Sequence, residues 1–169
     1  ELGTVVLVGN SMGCVYALEM AERAPERIAK LVLMGAGNIE NQPTMPGMAK
    51  LATFYRDPSA AALEEMMSLF VYDPVSWSGQ LQDIARDRLP LALREDIRRS
   101  HAATFAPAGR RFHTMEFLQN VRQPSLVIHG KDDRIVSWKA SEFISEHLGN
   151  AHLVLLDRCG HWAQLEYPE

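Results

Sequence analysis

V-G-N-S-M-G-C, Val8 to Cys14, decides how the rest of the chain reads. A β-branched and aliphatic run, Thr4-Val5-Val6-Leu7-Val8, enters it, and a helix-period stretch, Val15 to Ala24, leaves it. Between them lies G-x-S-x-G: Gly9, Asn10, Ser11, Met12 and Gly13. A serine on so tight a strand-to-helix turn is forced into strained backbone geometry, and Gly9 and Gly13 are expected where side chains would collide. The turn lifts the Ser11 hydroxyl above the sheet. The helix that follows aims its free first N–H groups at the same place.

Working outward, the helix after Ser11 stops near Ala24-Pro25, because proline restricts the residue before it. Ile28 to Met34 is a second apolar strand, closed by Gly35-Ala36-Gly37, so residues 1–37 read as a βαβ unit. From 38 to 120 the pattern turns helical. A breaker-rich loop over 41–47 leads to helical stretches at 48–55, 60–71, 78–89, 91–105 and 111–120, with Pro90 separating the third from the fourth. Helices alone, inserted between strands, predict a lid over the sheet edge, and Met45, Met48, Met66, Met67, Phe70, Trp77 and Phe105 are candidates for its underside or its packing core. Residues 121–169 return to the sheet with strands Ser125–His129 and His152–Leu156, a helix from Trp138 to Leu148 N-capped by Ser137, and a last helix begun at Ala163. The fold class is therefore α/β, a mostly parallel sheet flanked by helices with a helical lid inserted.

The chain has 169 residues, 47% hydrophobic and 22% charged, with a net charge of −4. This is enough apolar material for a core, and the mild acidity without a basic stripe argues against nucleic acid. No apolar run reaches the length of a membrane span. Cys14 and Cys159 form no disulfide framework and lie in no metal-ligand spacing; Cys14 reads as a small residue packed under the turn, and a reducing, cytoplasmic setting is expected. A first strand at the very start would need neighbours, so the chain is expected to be a fragment truncated at both ends.

Ser11, Asp133 and His161 each follow a strand, at the edge where open α/β sheets place their sites. Taken singly, Ser11 is a helix cap, Asp133 a turn residue and His161 a loop histidine. In this order they can form a catalytic triad. A serine hydroxyl needs a base to accept its proton, histidine does so near neutral pH, and a carboxylate fixes the histidine tautomer. The Met12 N–H would serve as one oxyanion donor. Asp132 competes with Asp133 for the acid role, and the G-x-x-D spacing from Gly130 selects Asp133. His101, His113, His129, His147 and His152 lack matching partners and read as structural or solvated.

The turn and the Ser, Asp, His order are those of the α/β-hydrolases. Three stretches go further: V-G-N-S-M-G (8–13), H-G-K-D-D-R-I-V (129–136) and C-G-H-W-A-Q-L-E (159–166). Over essentially the whole chain the sequence resembles the meta-cleavage product hydrolases, which split a C–C bond in ring-opened catechols. It departs at Cys14, where that family usually has a second glycine, and matches only loosely in the lid. The resemblance implies Ser11, Asp133 and His161 as the triad, and Asn10 and Trp162 as pocket residues. It also implies a lid arginine, best matched by Arg86 with Arg88 as the alternative, holding the substrate's carboxylate bidentately. The implied substrate is a 2-hydroxy-6-oxo-dienoate, a carboxylate-bearing small molecule, with neither metal nor organic cofactor, and the protein is expected to form a homo-oligomer. A carboxylesterase or lactonase shares every catalytic residue. A non-catalytic small-molecule receptor on the same fold is the rival from another class.

Overall fold

Period-two alternation along four short strands builds one parallel sheet, in the order β1 (Val5–Asn10), β2 (Ile28–Met34), β3 (Ser125–Gly130), β4 (Ala151–Leu156). The computed structural model describes residues 3–40, 42–106 and 112–169; Asn41 of the expected loop and Arg111 of the expected last lid helix lie outside them. Gly9 stands opposite Leu33, Leu33 opposite Val127, and Val127 opposite Leu153, so the apolar positions of neighbouring strands fall on common faces. One face is covered by α1 (Met12–Arg23), α6 (Met115–Asn120) and α7 (Trp138–His147). Cys14, Leu18, Leu31, Leu33, Leu118, Val127 and Ile144 are fully or almost fully buried there. On the other face Val6, Val8, Leu126 and Val154 are exposed.

Between β2 and α6 lie α2 (Pro46–Thr53), α3 (Ala60–Met67), α4 (Ser78–Ala92) and α5 (Glu95–Phe105). They bury their own cluster, Phe54, Leu63, Met66, Met67, Val71, Leu81 and Ala85, joined from the sheet side by Trp162. The stems of this insertion meet in a bridge between Ile39 and His113, where the His113 N–H donates to the Asn38 carbonyl at 2.8 Å. The chain on either side of the insertion thus comes together at Ile39 and His113, ahead of α6. Helix α6 packs on α1 and α7, with Leu118 and Val121 in the sheet's core, because its apolar residues face the sheet layer.

Two local expectations are corrected. Helix α4 runs through Pro90 to Ala92 and breaks at Leu93-Arg94 instead. Proline withholds one i→i−4 bond, yet the Leu93 N–H still reaches the Leu89 carbonyl at 3.0 Å, so the last turn closes around the gap. Ser137 occupies the N-cap position of α7 without a side-chain capping bond.

Candidate active site

Ser11 sits between β1 and α1 at φ 53° and ψ −117°, a conformation that L-residues rarely adopt. The turn is held from outside: the Ser11 N–H donates to the Met34 carbonyl at 2.8 Å. A Cβ on Gly9 would lie 2.6 Å from the carbonyl of Gly13, so this position must be glycine. The expected collision at Gly13 does not occur, since nothing lies within 4 Å of a Cβ built there. Only the strand side of the turn is crowded. Cys14 is fully buried under it, its thiol against the Gly9 and Met34 carbonyls at 3.3 Å each, and burial pushes that thiol up to about 12. Met12 opens α1, so its N–H has no carbonyl one turn back to bond.

The β3–α7 loop turns Asp133 inward, almost wholly buried. Its Oδ1 accepts the Ile135 and Val136 N–H groups at 2.7 and 2.9 Å, and its Oδ2 accepts His161 Nδ1 at 2.6 Å. Burial opposes the charge, but hydrogen bonds from His129 and His161 outweigh it and hold the carboxyl well below the usual carboxylate range. Asp132 is exposed, so the choice of Asp133 follows from which carboxylate the loop buries.

His161 lies over the end of β2. Its N–H and that of Trp162 both donate to the Phe70 carbonyl, at 2.7 and 3.1 Å, which ties the loop after β4 to the lid. The Phe70 ring stands edge-on to the imidazole with centroids 5.3 Å apart and packs on Trp162 at 4.9 Å. Of the lid candidates named from sequence, Phe70 is the one with a ring contact to the histidine. Met66 and Met67 belong to the lid's own core, and Phe105 packs beside His101. Glu166 in the short helix α8 (Ala163–Glu166) brackets the same junction, accepting the Tyr72 N–H on Oε1 at 2.7 Å and the Gly160 N–H on Oε2 at 2.6 Å.

Asn10 donates its amide to the Met34 and His161 carbonyls, each at 3.3 Å, so it links the serine turn to the histidine loop. His161 Nε2 is buried with no hydrogen-bond partner among the described residues, Ser11 included. An Asp–His pair closed at 2.6 Å, its histidine loop tied by Asn10 to the strained serine turn, is an arrangement that can accept a serine proton.

Arg86, expected at the substrate's carboxylate, is 69% exposed and paired with Asp83 at 2.9 Å and Asp87 at 3.4 Å. Two aspartates already compensate its charge. Arg88 instead lines an open groove of about 410 Å³ with Ile84, Asp87, Trp162, Gln164 and Leu165.

Sequence reading missed one contact of the site. His129, assigned no partner, is fully buried and bonds Asp133 Oδ2 through Nε2 at 3.0 Å. The signal was the spacing H-G-x-x-D, which sets a strand-end histidine four residues before a carboxylate that the loop folds back.

The glycine beneath the imidazole yields a test. Gly35 has φ +60°, and a Cβ there would lie 3.0 Å from His161 Cε1 and Nδ1. Gly35→Ala is expected to destabilise the fold by about 1–3 kcal/mol. It should also lower kcat beyond what the loss of folded protein explains, as measured by chemical denaturation alongside kinetics.

The family model described as alpha/beta hydrolase fold matches residues 1–168. The chain belongs to the α/β-hydrolase fold family. Within it, the chain is 34% identical over 178 residues to a 2-hydroxy-6-oxononadienedioate/2-hydroxy-6-oxononatrienedioate hydrolase of Burkholderia vietnamiensis, an alignment covering 99% of this chain and 59% of that protein. Among solved structures, it superposes on the 2-hydroxy-6-oxo-6-phenylhexa-2,4-dienoate hydrolase of Rhodococcus sp. strain RHA1 with a TM-score of 0.88 at 36% identity, covering 97% of this chain and 59% of that one. A meta-cleavage product hydrolase of Pseudomonas fluorescens IP01 gives 0.84 at 27% identity, covering 98% and 60%. The chain thus spans about 60% of the length of these relatives. In this α/β-hydrolase the helical insertion lies between β2 and β3, and Phe70 within it contacts His161.

Proposed function

We propose that the protein is a serine-type hydrolase that cleaves the C–C bond of 2-hydroxy-6-oxo-dienoates formed in aromatic degradation. The observation that carries the hydrolase reading is the buried Asp133–His161 bond of 2.6 Å, with the histidine loop tied by Asn10 to the strained Ser11 turn. The names of the similar proteins support the substrate class.

In this reading the dienol first ketonises, its hydroxyl proton passing to C5 of the substrate. Ser11 Oγ then attacks the 6-oxo carbon as His161 Nε2 takes the hydroxyl proton, and the Met12 N–H meets the oxygen that becomes negative. Collapse breaks the C5–C6 bond. The electron pair enters the enone as a dienolate, which recovers a proton and leaves as 2-hydroxypentadienoate. Water, deprotonated by His161, attacks the remaining acyl-Ser11 ester, and a carboxylic acid departs. Asp133 keeps the imidazole in the tautomer that exposes Nε2 as base. Asn10 holds the histidine loop through its amide nitrogen. Trp162 and Phe70 exclude water from the cleft. The two buried free cysteines suit a reducing, cytoplasmic compartment.

Arg88, rather than Arg86, takes the substrate's carboxylate in this reading, because it shares the groove with Trp162 and Arg86 is spent on two aspartates. Arg88→Gln is expected to raise KM for a dienoate at least about tenfold, the value of one charge-assisted bond. Arg86→Gln should leave KM within about twofold, as for other exposed pairs.

Mixing the protein with alkyl and aryl 2-hydroxy-6-oxo-dienoates, and separately with a p-nitrophenyl ester, tests the substrate class. Loss of the dienoate's visible absorbance should far outpace ester cleavage. Brisk ester cleavage with intact dienoates would make the protein an esterase.

A further inference from the structure

His129 ends a chain of buried polar groups that the triad alone does not require. It is fully buried on β3, and so is Ser141 on α7. His129 Nε2 faces two acceptors, Asp133 Oδ2 at 3.0 Å and the Val136 carbonyl at 3.1 Å, so this nitrogen carries a proton. Nδ1 lies 2.6 Å from the Ser141 hydroxyl, which is also within 3.3 Å of the Ala36 carbonyl. Ser141 can therefore donate to a neutral ring, or accept from a charged one while donating to Ala36. Either way His129 donates to Asp133. The same Oδ2 accepts His161 Nδ1 at 2.6 Å.

We infer that His129 is a positioning residue for the proposed reaction: by sharing Oδ2 of Asp133 with His161, it limits how much carboxylate charge His161 draws on and keeps that imidazole available as a base. The inference rests on the triad reading given above. A second donor on one carboxylate oxygen withdraws negative charge from the first bond. A buried carboxylate bonded to His161 alone would hold its imidazolium more tightly, leaving less free base at neutral pH. Ser141 supports the effect by polarising the ring through Nδ1.

Two other ionisable groups, Cys159 and Glu166, lie in the loop that carries His161 and in the short helix after it. Cys159 is buried, and burial together with Glu166, Asp133 and Asp132 pushes its thiol up to about 12, so it stays neutral. The Glu166 carboxylate is occupied by the Tyr72 and Gly160 N–H groups. From the lid, Phe70 presents an apolar ring edge.

The test compares His129→Phe, which keeps a ring and removes the donor, with His129→Gln, whose Nε2 can replace it, and with Ser141→Ala. Two titrations are followed: the acidic limb of kcat/KM, and the downfield proton resonance of the His161 Nδ1–H, which needs no substrate. In His129→Phe both should move upward together by about 0.5–1 pH unit. His129→Gln should bring them most of the way back, and Ser141→Ala should shift them the same way by less. Folded His129→Phe and Ser141→Ala proteins whose two titrations coincide with the native ones would overturn the inference. If His129→Phe does not fold, Ser141→Ala decides alone. Failure of the triad reading is separate, and would appear as undiminished turnover in Ser11→Ala whatever the His129 variants do.

Discussion

Asp133→Asn is expected to lower kcat at pH 7 by about 10,000-fold, the scale on which serine hydrolases lose activity when the buried acid can no longer fix the histidine tautomer. The arithmetic of donors makes the reason specific here. Four donors converge on this side chain: His129, His161 and the N–H groups of Ile135 and Val136. The two imidazoles share Oδ2 and the two backbone N–H groups share Oδ1, and an amide has one acceptor oxygen, so after the substitution its NH2 group faces either both imidazoles or both backbone N–H groups. The same change should cost about 3–5 kcal/mol of stability at neutral pH, the range for breaking a buried charged network from one side.

Acidification completes this prediction. The Asp133 carboxyl lies lower in the folded protein than in the unfolded chain. Its stabilisation is therefore fully present above the unfolded value, about 4, and is lost as pH falls toward the folded one. Urea midpoints of the native protein should drop below about pH 4, and the part of that slope due to Asp133 should vanish in Asp133→Asn. An equal slope in both proteins would contradict the assignment.

Ser11 carries the other large effect, with activity and stability moving in opposite directions. Removing the hydroxyl in Ser11→Ala should lower kcat/KM by about 10,000-fold or more, since the two-step route loses its nucleophile. Stability should barely change, because alanine meets the same strain at φ 53°. Glycine adopts that conformation freely, so Ser11→Gly should be as inactive yet more stable by about 1 kcal/mol. Thermal unfolding beside turnover separates the two variants. A Ser11→Gly protein less stable than Ser11→Ala would mean that the turn stores no strain.

Much of this was legible in the sequence for a local reason. The stretch from Val8 to Cys14 is a strand end, a turn and a helix start, each with its own short-range chemistry, and Asp133 and His161 follow apolar runs whose ends are visible. What stayed hidden depends on how distant segments meet. The bond between His129 and Asp133 exists because the loop after β3 folds back, and the H-G-x-x-D spacing permits that fold without requiring it. The choice between Arg86 and Arg88 turns on which side of α4 faces Trp162, two residues apart on one helix. Helix α6 reads as one more lid helix until its packing against α1 and α7 is seen. Gly13 reads as a forced glycine by analogy with Gly9, though only Gly9 meets the opposing backbone.

In the proposed reaction Ser11 forms and breaks a covalent bond to the carbon at which the dienoate is cleaved. Rapid mixing of the protein with a dienoate, acid quenching within the first turnover, and peptide mass analysis address it directly. The Ser11 peptide should gain the mass of the 6-oxo acyl fragment as 2-hydroxypentadienoate is released, and lose it as the acid appears. Cleavage products formed while the Ser11 peptide stays unmodified at every time point would contradict that covalent step.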